Sequence, residues 1–551
     1  LALLTLNFGN HTWSLELIGD SNRDGKLVAE EDTEFSNEWK FTHGALVLFN
    51  CDDDDEDGVR DFEDEVVNGP ADLEDLAKFE LDFGEYTGEE HVVQLSPKGE
   101  QDPYFRVFYL DLDGEYKPLD LSEEIWTVPF ELREKGSLEL RVEAKQFTNM
   151  KWSGYMLLRT RAGVGEDFKD AAHVMMRVAP WIMLSNAAQG DELYVRAFEG
   201  RNEAFIEGLK DYTEAASATL TVIPAGNPPY PSYEIWLQDA LEIGYTEMPG
   251  KRMNVVLNSN RNKGLDMAGR DFMLGPDFGW FTKGEYRETY GKGEGGDSWI
   301  DWFGNLEITP PLATAPLGRP YFGRNFSGHA EAQLNPEVVD MIKAQAVMKT
   351  PLAMDVGWLL IKHVDEIVCF VPSGDEEHPW KVLVPNTQVF LDHLSRWSAE
   401  GKGDAPILTI FKDDMTVDKL AADKPLVEYN LRLQSEYINK NNELMKKEFG
   451  LRDEDFIHVP AWYEKDGRSM VPNMVNSVVL NGHLGVPQPN GPVVDDKDLL
   501  EEAFRKQLSA LPLEVHFLDD RQYHKWCGNV HCATNVKRDP GAKPWWSYFQ
   551  P

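Results

Sequence analysis

Arg177-Val-Ala-Pro-Trp-Ile-Met183 is the stretch at which the chain changes its pattern. Before it, short alternating runs such as Ala45-Leu-Val-Leu-Phe49, Phe105-Arg-Val-Phe-Tyr109 and Leu138-Glu-Leu-Arg-Val142 are separated by Gly, Asp and Pro turns. A period of two buries one face of a strand, and regular short strands broken by turn residues suggest a sandwich. After it, strands alternate with helices. Glu337 to Val347 carries a helical pattern, and Val427 to Phe449 reads as a charged helix with an apolar stripe that starts just after Pro425. The expectation is an all-β region over 1–177 and an α/β catalytic-type region over 178–551, divided near Val178-Ala-Pro-Trp181. No short-period internal repeat is evident.

A chain of 551 residues has room for roughly two to four domains. Hydrophobic residues make up 42%, and no apolar run approaches the ~18 residues that cross a bilayer. Leu1-Ala-Leu-Leu-Thr-Leu is too short for a signal peptide and has no basic leader; the missing initiator Met suggests a start further upstream or a removed one. The net charge of -41, from 54 basic and 95 acidic residues, excludes nucleic acid and anionic membrane as expected partners, because phosphate attraction needs a basic face. Four cysteines (Cys51, Cys369, Cys527 and Cys532) are too few for a disulfide scaffold. Free thiols fit a reducing, cytoplasmic setting. Glycosylation sequons at Asn10 and Asn325 leave secretion open.

The acids cluster. Asp20-Ser-Asn22-Arg-Asp24-Gly25, with Glu31 at the twelfth position, has the spacing of a calcium loop. Carboxylates and amides at alternate positions face one point, Gly permits the sharp turn, and a terminal Glu can close the shell. A second loop follows in Asp53-Asp-Asp55-Glu-Asp57-Gly58, with Asp61 and Asp64 beyond it. No flanking helices are evident, so neither reads as an EF-hand. A solvated acidic loop is the plain alternative, but six consecutive acids at Asp52 to Asp57 repel one another unless a cation joins them.

Three stretches of the second region carry chemistry-bearing side chains: Glu234-Ile-Trp236-Leu-Gln238-Asp239, Lys362-His363-Val-Asp365-Glu366 and Gly528-Asn-Val-His531-Cys532-Ala-Thr-Asn535. The second reads as strand-like, which would put His363 and Asp365 on one face. A Cys with a His and carboxylates elsewhere in the chain can be a nucleophile site, though spacing alone does not bring them together. Taken singly, each stretch has a plain structural reading: a core His, a buried inert Cys, a turn.

Together with other motifs, these stretches resemble the protein-arginine deiminases. The resemblance runs through Asn50-Cys-Asp52, Arg177 to Met183, Leu274-Gly-Pro-Asp277-Phe-Gly279, Phe303-Gly-Asn-Leu306-Glu307, Gly318-Arg319 and Gly357-Trp358. It continues through His363-Val-Asp365-Glu366, Pro472-Asn-Met-Val-Asn476, Leu484-Gly-Val-Pro487, Val530-His-Cys532-Ala-Thr-Asn-Val536 and Trp545-Trp546. It implies an immunoglobulin-like sandwich followed by an α/β-propeller (pentein) catalytic domain, and calcium-dependent conversion of protein arginine to citrulline with release of ammonia. In such an enzyme Cys532 would attack the guanidinium carbon, and Asp239 and Asp365 would hold the guanidinium nitrogens. His363 would protonate the departing ammonia and then deprotonate the attacking water. Trp236 would wall the slot for the aliphatic stem, with Arg261 and Lys263 also at the substrate. A thiolate is needed, favoured by a neighbouring protonated His or by bound guanidinium.

The resemblance further implies calcium ligands beneath the cleft at Gln238, Glu242 and Glu307, with backbone oxygens of Phe303 and Leu306. Others lie in and beside the first region at Asn50, Asp52, Asp54, Asp61, Asp64, Asp72, Asp75, Glu143 and Asp277, besides the loop of Asp20, Asn22 and Asp24. The sequence also departs from the family. Ala240 stands where the family has Glu and Asn258 where it has Asp, which weakens a second catalytic-domain calcium site that keeps Ser259 and Asn262. Lys263 replaces an Arg that binds substrate backbone. The first of the animal family's two immunoglobulin-like domains is absent, as in shorter microbial members. Because that domain helps form the animal dimer, a monomer is compatible with this sequence. The expected partners are arginine-containing proteins or peptides. The alternatives are a pentein acting on a free guanidine such as agmatine or arginine, and a non-catalytic calcium-stabilised binding protein.

Overall fold

The structure is a computed structural model that describes residues 6–8, 11–13, 15–84, 89–98, 104–119, 125–164, 167–225, 234–286, 298–311, 323–347, 350–408 and 414–549. The Asn10 sequon and the Gly318-Arg319 motif lie outside the described residues. Among those residues no helix is long and apolar enough to cross a membrane.

The alternating runs of the first region become strands Ala45–Val47, Phe105–Leu110 and Ser137–Ala144. They belong to two five-stranded sheets. One has the order Glu16–Gly19, Ala77–Asp82, Ser137–Ala144, Phe105–Leu110, Tyr116–Pro118, and the other Ala45–Val47, Asp167–Val178, Tyr155–Val164, His91–Lys98, Trp126–Thr127. Inward residues such as Phe79, Leu81, Val93, Leu140, Leu158 and Val174 are buried in one core. The expectation of an all-β region misses short helices, and two of them matter. Asp61–Asp64 and Pro70–Asp75 set Asp61 with Asp64, and Asp72 with Asp75, at the i,i+3 spacing that shares a helix face. Acids that look scattered along the sequence are thereby gathered.

Among the described residues from 182 onward, five sheets share one plan, the first with an extra strand at Ile182–Met183, and a two-stranded ladder of Val493–Val494 with Lys497–Asp498 stands apart. A central strand pairs antiparallel with one neighbour and parallel with the other. The central strands are Lys251–Asn258, Asn325–His329, Trp380–Asn386, His483–Pro487 and Gln189–Arg196. A parallel neighbour requires a crossover. Helices supply it: Ala268–Phe272, Pro336–Gln345, the run from Thr387 to Phe449, Leu499–Leu508 and Glu203–Ala215. The predicted helices at 337–347 and 427–449 are two of these crossovers. The repeat is therefore one of hydrogen-bond topology, which side-chain identity does not record. The fifth unit joins both ends of the region: Thr534–Asp539 pairs antiparallel with Gln189–Arg196.

The two regions share their core. Trp181, at the change of pattern, is fully buried and its indole donates to the Val255 carbonyl. Phe49, Phe147 and Phe281 form an aromatic chain across the junction. Trp545 lies under Arg23, and Phe549 stacks on Phe41. Asn325 is buried within a strand, with its amide against the Met183 sulfur, so this sequon offers no acceptor at the surface.

Candidate functional site

In each of the five units, the turn just ahead of one strand of the antiparallel pair faces the candidate site; four of these turns carry its polar residues and the fifth supplies Gly304. The helical turn Leu237–Ala240 precedes Leu241, and Phe303–Asn305 precedes Leu306. Val364–Glu366 lies shortly before Cys369, the loop ending at Asn476 before Val478, and Val530–Ala533 before Thr534. These turns bring Asp239, Asp365, His363, Asn476 and Cys532 to one centre. His363 is not on a strand as the sequence suggested. It is the extended residue capping a short 3-10 turn, and its N–H donates to Glu366 Oε1 at 3.2 Å. The turn, rather than strand alternation, brings its ring to the centre Asp365 also faces.

Cys532 is 5% exposed, and its thiol donates to Asp365 Oδ2 at 3.2 Å. Asn476 holds it from two sides: the amide nitrogen donates to Sγ at 3.3 Å, and the amide oxygen accepts the Cys532 N–H at 3.2 Å. Burial and the charges of Asp365 and Asp239 push the thiol well above its ordinary value. His531, beside it in sequence, does not offset this. Its ring shares Asp365 Oδ2 with the thiol, at 3.1 Å, and reaches Glu307 Oε1 at 3.4 Å. Burial opposes its charge, but Glu307 and Asp365 outweigh burial and hold the imidazole up at about 9.

His363 Nε2 lies 2.7 Å from the Trp299 carbonyl, which can only accept, so Nε2 carries a proton. Nδ1 lies 3.5 Å from Asp239 Oδ1. Burial raises the Asp239 pKa, with His363 and Arg261 opposing. Asp239 Oδ1, Asp365 Oδ1 and His363 Nδ1 are all buried without a hydrogen-bond partner among the described residues. Gly304 faces the same point. A Cβ there would lie 2.5 Å from His363 Nδ1, 2.7 Å from Asp239 Oδ1 and 3.2 Å from Asp365 Oδ2.

Trp236 is partly buried, with its ring against Gly528, where a Cβ would meet it at 2.2 Å. Arg261 is enclosed rather than presented to a ligand. It donates to Glu234 at 2.6 Å and to the Trp236 carbonyl at 3.2 Å, and lies over the Trp302 ring. Lys263 is the more exposed of the pair, with Nζ 3.4 Å from Glu234. Neither Asn476 nor Gly304 stands out in the sequence, although each lies inside a quoted motif.

Of the donors expected beneath the cleft, Gln238, Glu242, Glu307 and the Phe303 carbonyl are neighbours. Gln238 donates to Glu242 at 2.8 Å and toward the Phe303 carbonyl at 3.5 Å, while its own carbonyl accepts from Asn535. Leu306 opens the adjacent strand. Burial, with the charge of Glu307, pushes Glu242 well up, and burial raises Glu307 to about 7, while His531 and Arg538 oppose both shifts. Asn258 and Ser259 are buried with side-chain atoms lacking a partner, beside Ala240, whose carbonyl accepts the Ser259 N–H. Asn262 sits nearby in the left-handed region.

In the first region, Asp52, Asp54 and Asp75 each place a carboxylate oxygen within 4.8 Å of the others. Around them, Asn50 donates to Asp72 at 2.8 Å and to Glu143 at 3.1 Å, and Glu143 also meets Arg106. Asp64 is at the edge, tied to Asn68. Asp277 reaches in from the other region, its N–H donating to Asp52 and its carboxylate pairing with Lys251, which also contacts Asp75. Burial first, and then the neighbouring acids, raise Asp61 to about 9 and push Asp52 and Asp75 up. Asp52 Oδ1, Asp61 Oδ1, Asn50 Oδ1 and both Asp54 oxygens accept no hydrogen bond among the described residues. Uncompensated buried oxygens at this density fit a hard cation.

The two Asp loops fold alike. Asp20 accepts the N–H groups of Asp24 and Gly25, and Asp53 those of Asp57 and Gly58. Asp53, Asp55 and Asp57 form a possible cation cluster. Asp20, Asn22 and Asp24 spend oxygens on loop N–H groups. Glu31 is exposed and does not close the first loop. Asp32, one residue later and buried, accepts the N–H groups of Ser21, Asn22 and Val28 instead.

Comparison with known proteins gives two family matches: residues 168–547 to "Protein-arginine deiminase (PAD)" and residues 14–160 to "Protein-arginine deiminase (PAD) middle domain". Protein-arginine deiminase type-4 of Rattus norvegicus is 31% identical, over 97% of this chain and 82% of the relative. Protein-arginine deiminase type-1 of Homo sapiens gives 31% with the same coverage. Among solved structures, an agmatine deiminase of C. jejuni superposes with a TM-score of 0.38 at 13% identity, over 65% of this chain and 96% of that one.

Proposed function

The chain belongs to the protein-arginine deiminase family, and from that premise we propose that it hydrolyses arginine side chains of proteins to citrulline and ammonia at the centre formed by Cys532, His363, Asp239 and Asp365. One observation carries the reading: Asp239 Oδ1, His363 Nδ1 and the Asp365 carboxylate converge at Gly304 beside a thiol, and Asp239 Oδ1, Asp365 Oδ1 and His363 Nδ1 are buried with no hydrogen-bond partner among the described residues. A planar cation with five N–H donors answers that arrangement.

The bound guanidinium brings further positive charge to Asp239 and Asp365. It offsets the two carboxylates that hold the Cys532 proton on, so thiolate forms when substrate is present, its proton passing to His363 Nδ1. Sγ adds to the guanidinium carbon. The C–N bond breaks as His363 Nδ1 gives its proton to the departing nitrogen, leaving ammonia and a thiouronium on Cys532. Water then adds as Nδ1 takes its proton, the C–S bond breaks, and thiol and citrulline are restored. Citrulline is neutral, so it loses both ion pairs and leaves. Asn476 orients Sγ throughout, while Arg261 and Glu234 brace Trp236 as a wall for the aliphatic stem.

The two packed sheets of 1–177 are read as an immunoglobulin-like sandwich. The five units of 178–551, closed by the pairing of Thr534–Asp539 with Gln189–Arg196, are read as the blades of a pentein α/β-propeller. Calcium would be held by Gln238, Glu242, Glu307 and the carbonyls of Phe303 and Leu306 beneath the cleft. In the first region it would be held by Asp52, Asp54, Asp61, Asp72, Asp75 and their neighbours. When bound it would supply the charge that relieves mutual repulsion of these acids. Ala240 and Asn258 leave the second catalytic-domain site with neutral donors.

The test is citrulline release from a blocked arginyl peptide and from free arginine, with and without calcium, by wild type and Cys532→Ala. The expected result is calcium-dependent turnover of the peptide that Cys532→Ala abolishes. Turnover surviving in that variant, or confined to the free amino acid, would overturn the reading.

A further inference from the structure

Away from the cleft and the acidic loops, two adjacent strands hold donors of a different chemistry. His483 begins the strand His483–Pro487 and Glu514 begins Glu514–Leu518. In their parallel register His483 faces Glu514, and Gly485 faces His516. Residues two apart on a strand share a face, so Glu514 and His516 project together. Gly485 offers no side chain opposite His516, and the His483 ring leans into reach of it. His483 Nδ1 lies 3.0 Å from His516 Nε2 and 3.8 Å from Glu514 Oε2, and His516 Nε2 lies 3.6 Å from Glu514 Oε1.

Three donors at bond lengths of about 2.0–2.1 Å and tetrahedral angles stand roughly 3.3 Å apart. The two imidazole nitrogens stand a few tenths of an ångström inside that spacing, and the two Glu514 oxygens, one toward each ring, lie up to about half an ångström beyond it. The arrangement is also held in place. Tyr212 is fully buried, its hydroxyl donates to the carbonyls of Val478 at 2.9 Å and His483 at 3.4 Å, and its ring meets the His516 ring edge-on at 5.4 Å. Tyr212 lies in the last turn of Glu203–Ala215, whose carbonyl end favours a cation nearby. Two imidazole nitrogens and one carboxylate suit a borderline-soft ion; calcium takes oxygen.

We propose that His483, Glu514 and His516 form a binding site for a late first-row divalent cation of the zinc type. The Glu514 side chain is 67% exposed, so water completes the coordination on the open side. The ion clamps His483–Pro487 to Glu514–Leu518. The first of these strands pairs with Val478–Leu480, which follows Asn476, and the second leads to Asp520, whose carboxylate accepts from Asn529 near Cys532. The clamp therefore ties together segments that run into the cleft, yet it depends on no assumption about the reaction there.

The experiment titrates Zn²⁺ into calcium-saturated full-length protein by calorimetry, with Co²⁺ absorption to identify the donors and thermal unfolding as a second readout. Wild type is expected to take up one zinc equivalent with a rise in Tm, and Co²⁺ to give a tetrahedral spectrum without a thiolate charge-transfer band. Loss of an outer-shell partner already weakens metal sites by about 10–100-fold, so His516→Ala, which removes a ligand, should weaken this one by more than about 100-fold and abolish the Tm rise. Glu514→Gln, at an exposed side chain, should show the same direction of change if His516→Ala does not fold. The proposal is overturned if wild type binds no zinc, if either folded variant binds it as tightly as wild type, or if the cobalt spectrum reports thiolate.

Discussion

Replacing Gly304 by Ala adds one methyl group at the point where the candidate catalytic groups converge. The new Cβ would stand 2.5 Å from His363 Nδ1 and 2.7 Å from Asp239 Oδ1, where ordinary contact begins at 3.4 Å. One or both side chains must retreat by most of an ångström. The backbone itself tolerates alanine, since Gly304 sits in a short 3-10 turn outside the left-handed region. The stability cost is then that of local overpacking, about 1–3 kcal/mol, partly offset by the ~0.5–1 kcal/mol of chain entropy that alanine saves over glycine. Catalysis is far more sensitive, because a misplacement of about 1 Å can cost 10²-fold. The expected outcome is a drop in kcat/KM of at least about 100-fold, or ~2.7 kcal/mol in the barrier, in a protein that still unfolds cooperatively. Citrulline release from a blocked arginyl peptide at saturating calcium, set beside a thermal unfolding curve, measures both. A folded variant within tenfold of wild type would show that substrate does not occupy the point these atoms share.

Asp365→Asn keeps the shape but leaves a buried cation half-paired; at ~3–5 kcal/mol for a broken buried pair, activity should fall by several hundredfold or more, and a fall below tenfold would make Asp365 structural. Asn476→Ala removes both holds on Cys532 and should lower kcat more than it raises KM, whereas a pure KM effect would place Asn476 at substrate binding instead. The calcium-free first region should become less stable as pH rises. Asp61 and Glu143 are raised to about 9 and about 8 in the fold, so their contribution is complete below their unfolded values near 4 and is lost as pH climbs through 8 to 9. Chemical unfolding between pH 5 and 9.5 with chelator should show that decline, and calcium should cancel it; a flat profile would mean that these acids are ionised and paired without metal.

Much of the site was legible because its chemistry is local in sequence. Cys532, Asp239 and the His363/Asp365 pair stand in short motifs, and the first-region acids are dense enough to be seen as a cation-binding cluster. The errors arose where geometry overrides periodicity. His363 and Asp365 were read as strand neighbours because polar and apolar residues alternate there, but a 3-10 turn after an extended residue positions them. Glu31 matched a loop spacing, yet backbone N–H groups turned to Asp32. Arg261 looked available until burial enclosed it between Glu234 and Trp302.

Sequence alone determined the two patterns that meet at Val178 to Trp181, the acidic loops, the motif of the candidate nucleophile and the family. Those features rest on residue identity and short-range spacing, which the chain carries whether folded or not. Only the tertiary structure decided that five sheets share one plan, because the plan lies in which backbone amides pair, and many side-chain sequences satisfy the same ladder. It alone joined Thr534–Asp539 to Gln189–Arg196 across more than 330 residues, putting Cys532 at the centre. And it alone revealed Gly304 and Asn476, whose roles depend on what they face: one leaves room for three groups from distant turns to meet, and the other holds a sulfur 56 residues away.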